Sequence, residues 1–242
     1  MSILKALSEI ALNIAKGKAI DYIKDTQLKA DATLITEENK NDLQFGDFVR
    51  DGKSVYMVAR PRTESKDGIL IALPISFDKW YYCLTYCPYS KTVSEDGGCR
   101  IKTEALNRVD GRINTAAILK LDHDLTYQKH NPYGCPADIH KFPAFQLVKK
   151  AGEGSYIPAI EELYATFRNT DILVKLNELC QKCGGHQFNL EEEIVIWSST
   201  DNKNEMTIGE EALALVVTTE SPRVVRSMTK NAEANILLFK RF

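Results

Sequence analysis

The sequence predicts an α+β domain, in which helices come ahead of a run of short strands instead of alternating with them. Three observations lead there. Pro158 opens one helical segment and Asp171 to Cys183 forms another, stopped by Gly184-Gly185. Short apolar runs then follow at Ile194–Trp197, Leu213–Thr218, Arg223–Met228 and Ile236–Phe239, the pattern of an antiparallel meander. Earlier, Asp51-Gly52 lies between Phe48-Val49 and Val55-Tyr56-Met57-Val58, a hairpin signal whose tight turn favours positive φ at both central positions.

The elements follow in order. Over residues 2–24, Ile3, Leu7, Ile10 and Ile14 line one stripe of a helix, with Lys5, Glu9, Asn13 and Lys16 elsewhere on its circumference. Residues 1–28 therefore read as an amphipathic helix for packing, oligomerisation or docking. Residues 29–43 read as a polar connector and residues 44–242 as the body. The unbroken apolar run Ile69–Leu73 predicts a strand buried on both faces. Residues 76–110 read as an irregular insertion carrying Trp80 and Tyr82. Short helices are expected over Ile113–Leu121 and from Pro143 to Lys150, where proline suits the first turn. Glu161 and Glu162 fall in the first turn after Pro158, where carboxylates suit the helix dipole.

Composition bounds the function. The chain has 242 residues, 44% hydrophobic and 26% charged, enough apolar material for a core without staples. A formal net charge of -2 without a Lys/Arg-rich run gives no reason to expect nucleic acid as a partner. No stretch reaches the roughly 18 to 20 apolar residues of a membrane span. The start alternates charged and apolar residues, unlike an export signal, so a cytoplasmic location is expected. The six cysteines are then expected to be reduced.

Three phrases occur in a recognisable order: Asp110-Gly111-Arg112-Ile113-Asn114-Thr115, Tyr156-Ile157-Pro158-Ala159-Ile160-Glu161-Glu162-Leu163, and Trp197-Ser198-Ser199-Thr200. The strand Ala212 to Val217 and the closing Phe239-Lys240-Arg241-Phe242 follow them. On these residues the chain resembles the bacterial lectin-like C-terminal domains of uncharacterised function. Those are similar in fold to the formylglycine-generating-enzyme branch of C-type-lectin-like proteins. The resemblance spans roughly residues 44–242. It implies a small twisted antiparallel sheet, two flanking helices and long loops presenting a ligand surface. Ser155 stands where members of the family often carry Trp.

Catalytic chemistry finds little support. No cysteine follows Cys183, so the oxidase chemistry of that branch has no nucleophile in the matching region. Calcium-dependent sugar recognition needs oxygen ligands, whereas Ser221-Pro222-Arg223 and Trp197-Ser198-Ser199 stand in their places and Arg223 would repel a cation. Cys180, Cys183 and His186 have the spacing of three zinc ligands, but no second matched pair accompanies them. No cofactor is expected.

The leading expectation is a non-enzymatic recognition module for a protein or small ligand. Asp201, Asn202, Lys203, Asn204 and Glu205 form the polar loop that would touch it, with Arg223, Arg226, Asn231 and Asn235 beside them. Trp80 and Tyr82 would serve as aromatic anchors, and Trp197 is assigned to the core. Variable loops of the kind used by retroelement-encoded binding proteins are compatible with this set. Two alternatives stand beside it: a structural or adaptor subunit assembled through residues 2–24, and a zinc-containing or cysteine-dependent enzyme.

Overall fold

The computed structural model describes residues 31–81, 103–121, 142–169, 171–202, 211–218 and 223–242. The helix expected over residues 2–24 lies outside them, as do Tyr82 and Lys203, Asn204 and Glu205. The fold is α+β. Among the described residues, four helices accompany two sheets: α1 (Gly111–Leu121), α2 (Pro143–Ala151), α3 (Ile160–Thr166) and α4 (Asp171–Cys183). This is more sheet than the single small one anticipated.

The first sheet contains β1 (Thr33–Leu34), β2 (Phe48–Asp51), β3 (Ser54–Arg60), β4 (Ile69–Leu73), β6 (Ser155–Tyr156) and β11 (Phe239–Arg241), in the order β1-β2-β3-β4-β11-β6. The second holds β5 (Ser76–Lys79), β7 (Ile194–Asp201), β8 (Glu211–Val217), β9 (Val224–Thr229) and β10 (Glu233–Ile236), ordered β5-β10-β7-β8-β9. Both sheets are mixed. β1 runs parallel to β2, and β10 runs parallel to β7 through the single matched pair Asn235 and Ile196. The remaining pairs are antiparallel.

Two expectations need correcting. Residues 29–43 are not a free connector where described: β1 pairs with β2, and Ala32 and Leu43 are buried. The irregular stretch 76–110 begins with β5, which pairs with β10. The hairpin also differs in detail. Asp51 pairs with Ser54, so Gly52 and Lys53 are the central residues, and of the two only Gly52 has positive φ, at 59°. Glycine first with an ordinary residue second is the pattern of a type II′ turn.

Strand alternation divides the interior. Val55, Met57, Ile69, Ile71 and Leu73 of the first sheet join Ile194, Ile196, Leu215 and Val217 of the second in one core, together with α3 and α4. Tyr56, Val58 and Leu70 point the other way into a small outer cluster. Trp197, Ala212 and Ala214 face a further core with Trp80, Phe142 and Phe145. β4 is buried on both faces, as its unbroken apolar run predicts.

The run Ile236–Phe239, which reads as one strand, instead spans a crossing between sheets. β10 ends at Ile236 and β11 starts at Phe239. Ile236 and Leu238 enter the Trp197 core, while Leu237 and Phe239 enter the core between the sheets. The chain is apolar throughout this crossing because it touches both.

Candidate functional site

The C-terminal end of β7 organises the site. β7 pairs Trp197 with Ala214 and then Asp201 with Ala212, so Ser198, Ser199 and Thr200 oppose Leu213 alone. Such a bulge turns a strand out of its ladder and frees backbone groups for other partners. Ser199 N–H donates to Pro158 O at 2.8 Å, and Asp201 N–H donates to Ala105 O at 2.7 Å. Thr200 Oγ1 accepts from Ile160 N–H at 3.1 Å, satisfying a donor left open by the first turn of α3. Asn114 Nδ2 donates to Ser199 Oγ at 3.1 Å. The Ser-Ser-Thr segment is therefore a junction, and its hydroxyls are consumed in building it.

A second junction joins the other two phrases to the chain end. Glu162 Oε2 accepts from Gly111 N–H at 2.8 Å and Ala159 N–H at 3.1 Å. Glu162 Oε1 accepts from Tyr156 O–H at 3.1 Å and Arg241 Nη2 at 2.9 Å. Gly111 has no alternative here, since a Cβ would stand 2.2 Å from Ile157 O. Burial, reinforced by the Glu162 charge, pushes the Tyr156 phenol up to about 12.

The third feature is an ion pair inside the protein. Lys230 Nζ lies 2.7 Å from Asp201 Oδ1, and both side chains are 2% exposed. Asp201 Oδ2 also accepts from Thr103 N–H at 3.0 Å and Thr103 O–H at 2.6 Å. The Lys230 ammonium sits 4.7 Å from the Trp80 ring centre, on its electron-rich face. Trp80 Nε1 donates to Ser198 O at 2.8 Å, and its ring meets Phe145 edge-on at 5.0 Å. Burial lowers the Lys230 ammonium from its ordinary value against the opposing pull of Asp201.

These contacts sort the anticipated ligand-facing residues. Asp201, Trp80 and Asn235 are buried and engaged within the fold, the last donating to Val195 O at 2.8 Å. They are removed from the contact set, because their polar groups serve partners that lie far away in sequence. Arg223 is half-buried and donates to Arg168 O, while Asn231 is half-buried. Asn202 donates to Ser227 Oγ at 2.7 Å and to Glu211 Oε2 at 3.1 Å. Arg226 is exposed and forms a two-pronged pair with Glu193 at 3.0 and 3.1 Å.

What remains open is β9. Its residues are exposed except for half-buried Met228, and Val224 and Val225 are 51% and 38% exposed. One edge of β9 is paired with β8 from Val224 to Thr229. The other edge has no strand beside it among the described residues. No functional motif in the sequence marks this strand, although its Val-Val start carries a strand signal. Lys230, which fixes its end, carries no signal at all.

Cys180 and Cys183 are free thiols on the last turns of α4. Burial raises both, Cys183 to about 11, which leaves little thiolate at neutral pH. His186 stacks on Phe77 at 5.1 Å between ring centres. Among the described residues no three His, Cys, Asp or Glu side chains converge as a metal site, so these three do not form the zinc set their spacing suggested. No helix among these residues is long and apolar enough to cross a membrane.

No protein-family model matches the chain, and no curated protein does. A solved structure described as a fimbrial protein from Bacteroides ovatus ATCC 8483 is similar at a TM-score of 0.43 and 15% identity. That likeness covers 72% of this chain and 36% of the fimbrial chain, so the chain spans about a third of its length. A likeness of that degree carries no argument about function.

Proposed function

We propose that the chain is a non-enzymatic recognition module of lectin-like build, which binds a protein partner along the outer edge of β9. One observation carries this reading: an edge strand that opens with two exposed valines and is held rigidly along its inner side. Sheet edges offer unmade backbone hydrogen bonds, and proteins normally blunt them with charge, proline or cover. Here the one charge on the strand, Arg226, is tied to Glu193. An extended segment of a partner would add a strand to β9, with alternate side chains resting on Val225 and Ser227. On the inner side, Glu211 pairs with Thr229 and Asn202 donates to Ser227, which fix the far end of the strand.

The lectin-like assignment draws support from the way its signature phrases bond to one another around Glu162 and Thr200. The free thiols of Cys180 and Cys183 suit a reducing, cytoplasmic setting. The reading is tested by capture with immobilised full-length protein. Partners bound by the native chain are lost with Val224→Lys/Val225→Lys and retained with Val174→Lys, an exposed position on α4. Equal capture by all three, or none by the native chain, overturns it.

The adaptor reading rests on residues 2–24. Light scattering on the full chain against a truncation beginning at Asp31 decides it, and monomers in both cases end self-assembly through that segment. Asp31 is the proper boundary because removing the whole of residues 29–43 would strip away β1 and Ala32.

A further inference from the structure

A cleft of about 370 Å³ opens where β3, β4, the last turn of α2 and the end of α4 meet the crossing from β10 to β11. Its volume falls in the range of small-molecule sites. The lining is mixed, with an apolar part formed by Val55, Leu73, Leu147, Ile236 and Leu238, of which all but Leu147 are buried in the two cores. Lys53, in the β2–β3 turn, and Lys150, in the last turn of α2, stand at its boundary and are exposed. No Asp or Glu lines the cleft. Among the described residues neither ammonium has an ion-pair partner, whereas Lys240 is tied to Asp51 and Arg226 to Glu193. Ser54 and Ser76 also line the cleft, and their hydroxyls have no side-chain hydrogen bond among the described residues.

The geometry points to a binding site for an anionic amphiphile, an acyl carboxylate whose tail lies on the apolar floor and whose head is held by Lys53 and Lys150. The division of labour follows from the surfaces. Apolar surface taken from water into the cleft is stabilising roughly in proportion to its area, so the tail supplies affinity. Two cations without a counter-charge at the boundary select the sign of the head group, and Ser54 and Ser76 supply further donors to it. A cationic amphiphile would leave two like charges facing its own head. A neutral one would fill the floor and leave the lysines unused. This site is separate from the β9 edge and stands or falls without it.

The test is calorimetric titration of the full chain with decanoate, decanol and decyltrimethylammonium, each below its micelle concentration. Decanoate is expected to bind saturably at one site and the cationic ligand not at all. Lys53→Glu/Lys150→Glu, both changes being on exposed side chains, is expected to weaken decanoate by about tenfold or more, the equivalent of 1.4 kcal/mol. The same variant should leave the weaker binding of decanol unchanged. Ala151→Trp, which fills the cleft from its half-buried rim, should abolish decanoate binding while circular dichroism stays native. No saturable decanoate binding, equal binding of the cationic amphiphile, or binding indifferent to the double charge reversal would each overturn the assignment.

Discussion

The core between the two sheets and the polar seam at the end of β7 are held together in different ways. The first is built from Met57, Ile71, Leu176, Ile196 and Leu215, all fully buried and all apolar. The second is built from Asp201, Lys230, Thr103, Thr200 and Asn114, equally buried but hydrogen-bonded or ion-paired. An apolar core loses stability in proportion to what is removed, since any neighbour can close part of the gap. A polar seam has no such latitude. Each group there is stabilised by a few specific partners, and removing one leaves the others with a vacancy in a medium that solvates them poorly.

Lys230→Ala sharpens this contrast most. It leaves the Asp201 carboxylate buried without its cation and is expected to cost about 3–5 kcal/mol in urea unfolding. Pairing Lys230→Met with Asp201→Asn should recover much of that loss, because no charge is then buried alone. A cost below about 1 kcal/mol for Lys230→Ala, on the same scale of buried-pair energies, would erase the distinction.

Leu176→Ala in the apolar core comes next, at about 3 kcal/mol. No second substitution at a polar partner should rescue it. Thermal or urea unfolding of the single and double variants checks both statements side by side.

Alkaline pH separates the regions again. The Tyr156 phenol is raised to about 12 by burial and Glu162, so the folded state holds its proton more tightly than the unfolded chain. Its stabilising contribution is full below pH 10 and lost as pH climbs from 10 towards 12. That loss amounts to about 2–3 kcal/mol. Tyr156→Phe should remove this segment of the pH–stability profile, leaving a flatter curve above pH 10.

The smallest effect belongs to Arg226→Ala. Its pair with Glu193 is exposed to solvent, and the urea midpoint should not move.

The same division explains what could be read from the sequence. α4 and β4 match their anticipated bounds because each carries its signal locally: a helical stripe closed by Gly184, and an apolar run closed by Pro74. The division of Ile236–Phe239 between two sheets was hidden, since alternate residues entering two cores look like one buried strand. The burial of three anticipated contact residues was hidden for a related reason. Asp201 and Asn235 are polar, and polarity suggests solvent, but their partners are Lys230, Thr103 and Val195 O. Trp80 suggested an exposed anchor, yet a lysine and two phenylalanines enclose it. The bulge at Ser198–Thr200 leaves no periodic trace, because its bonds run to Pro158, Ile160 and Asn114.

Residue-resolved hydrogen exchange across β7, β8 and β9 in the free protein reaches the recognition edge most directly. Amides of β7 and β8 should exchange slowly, and those of β9 should alternate, slow where they bond to β8 and fast where they face outward. Uniform slow exchange along the whole of β9 would mean that its outer edge is already occupied, and the recognition surface would have to be sought elsewhere.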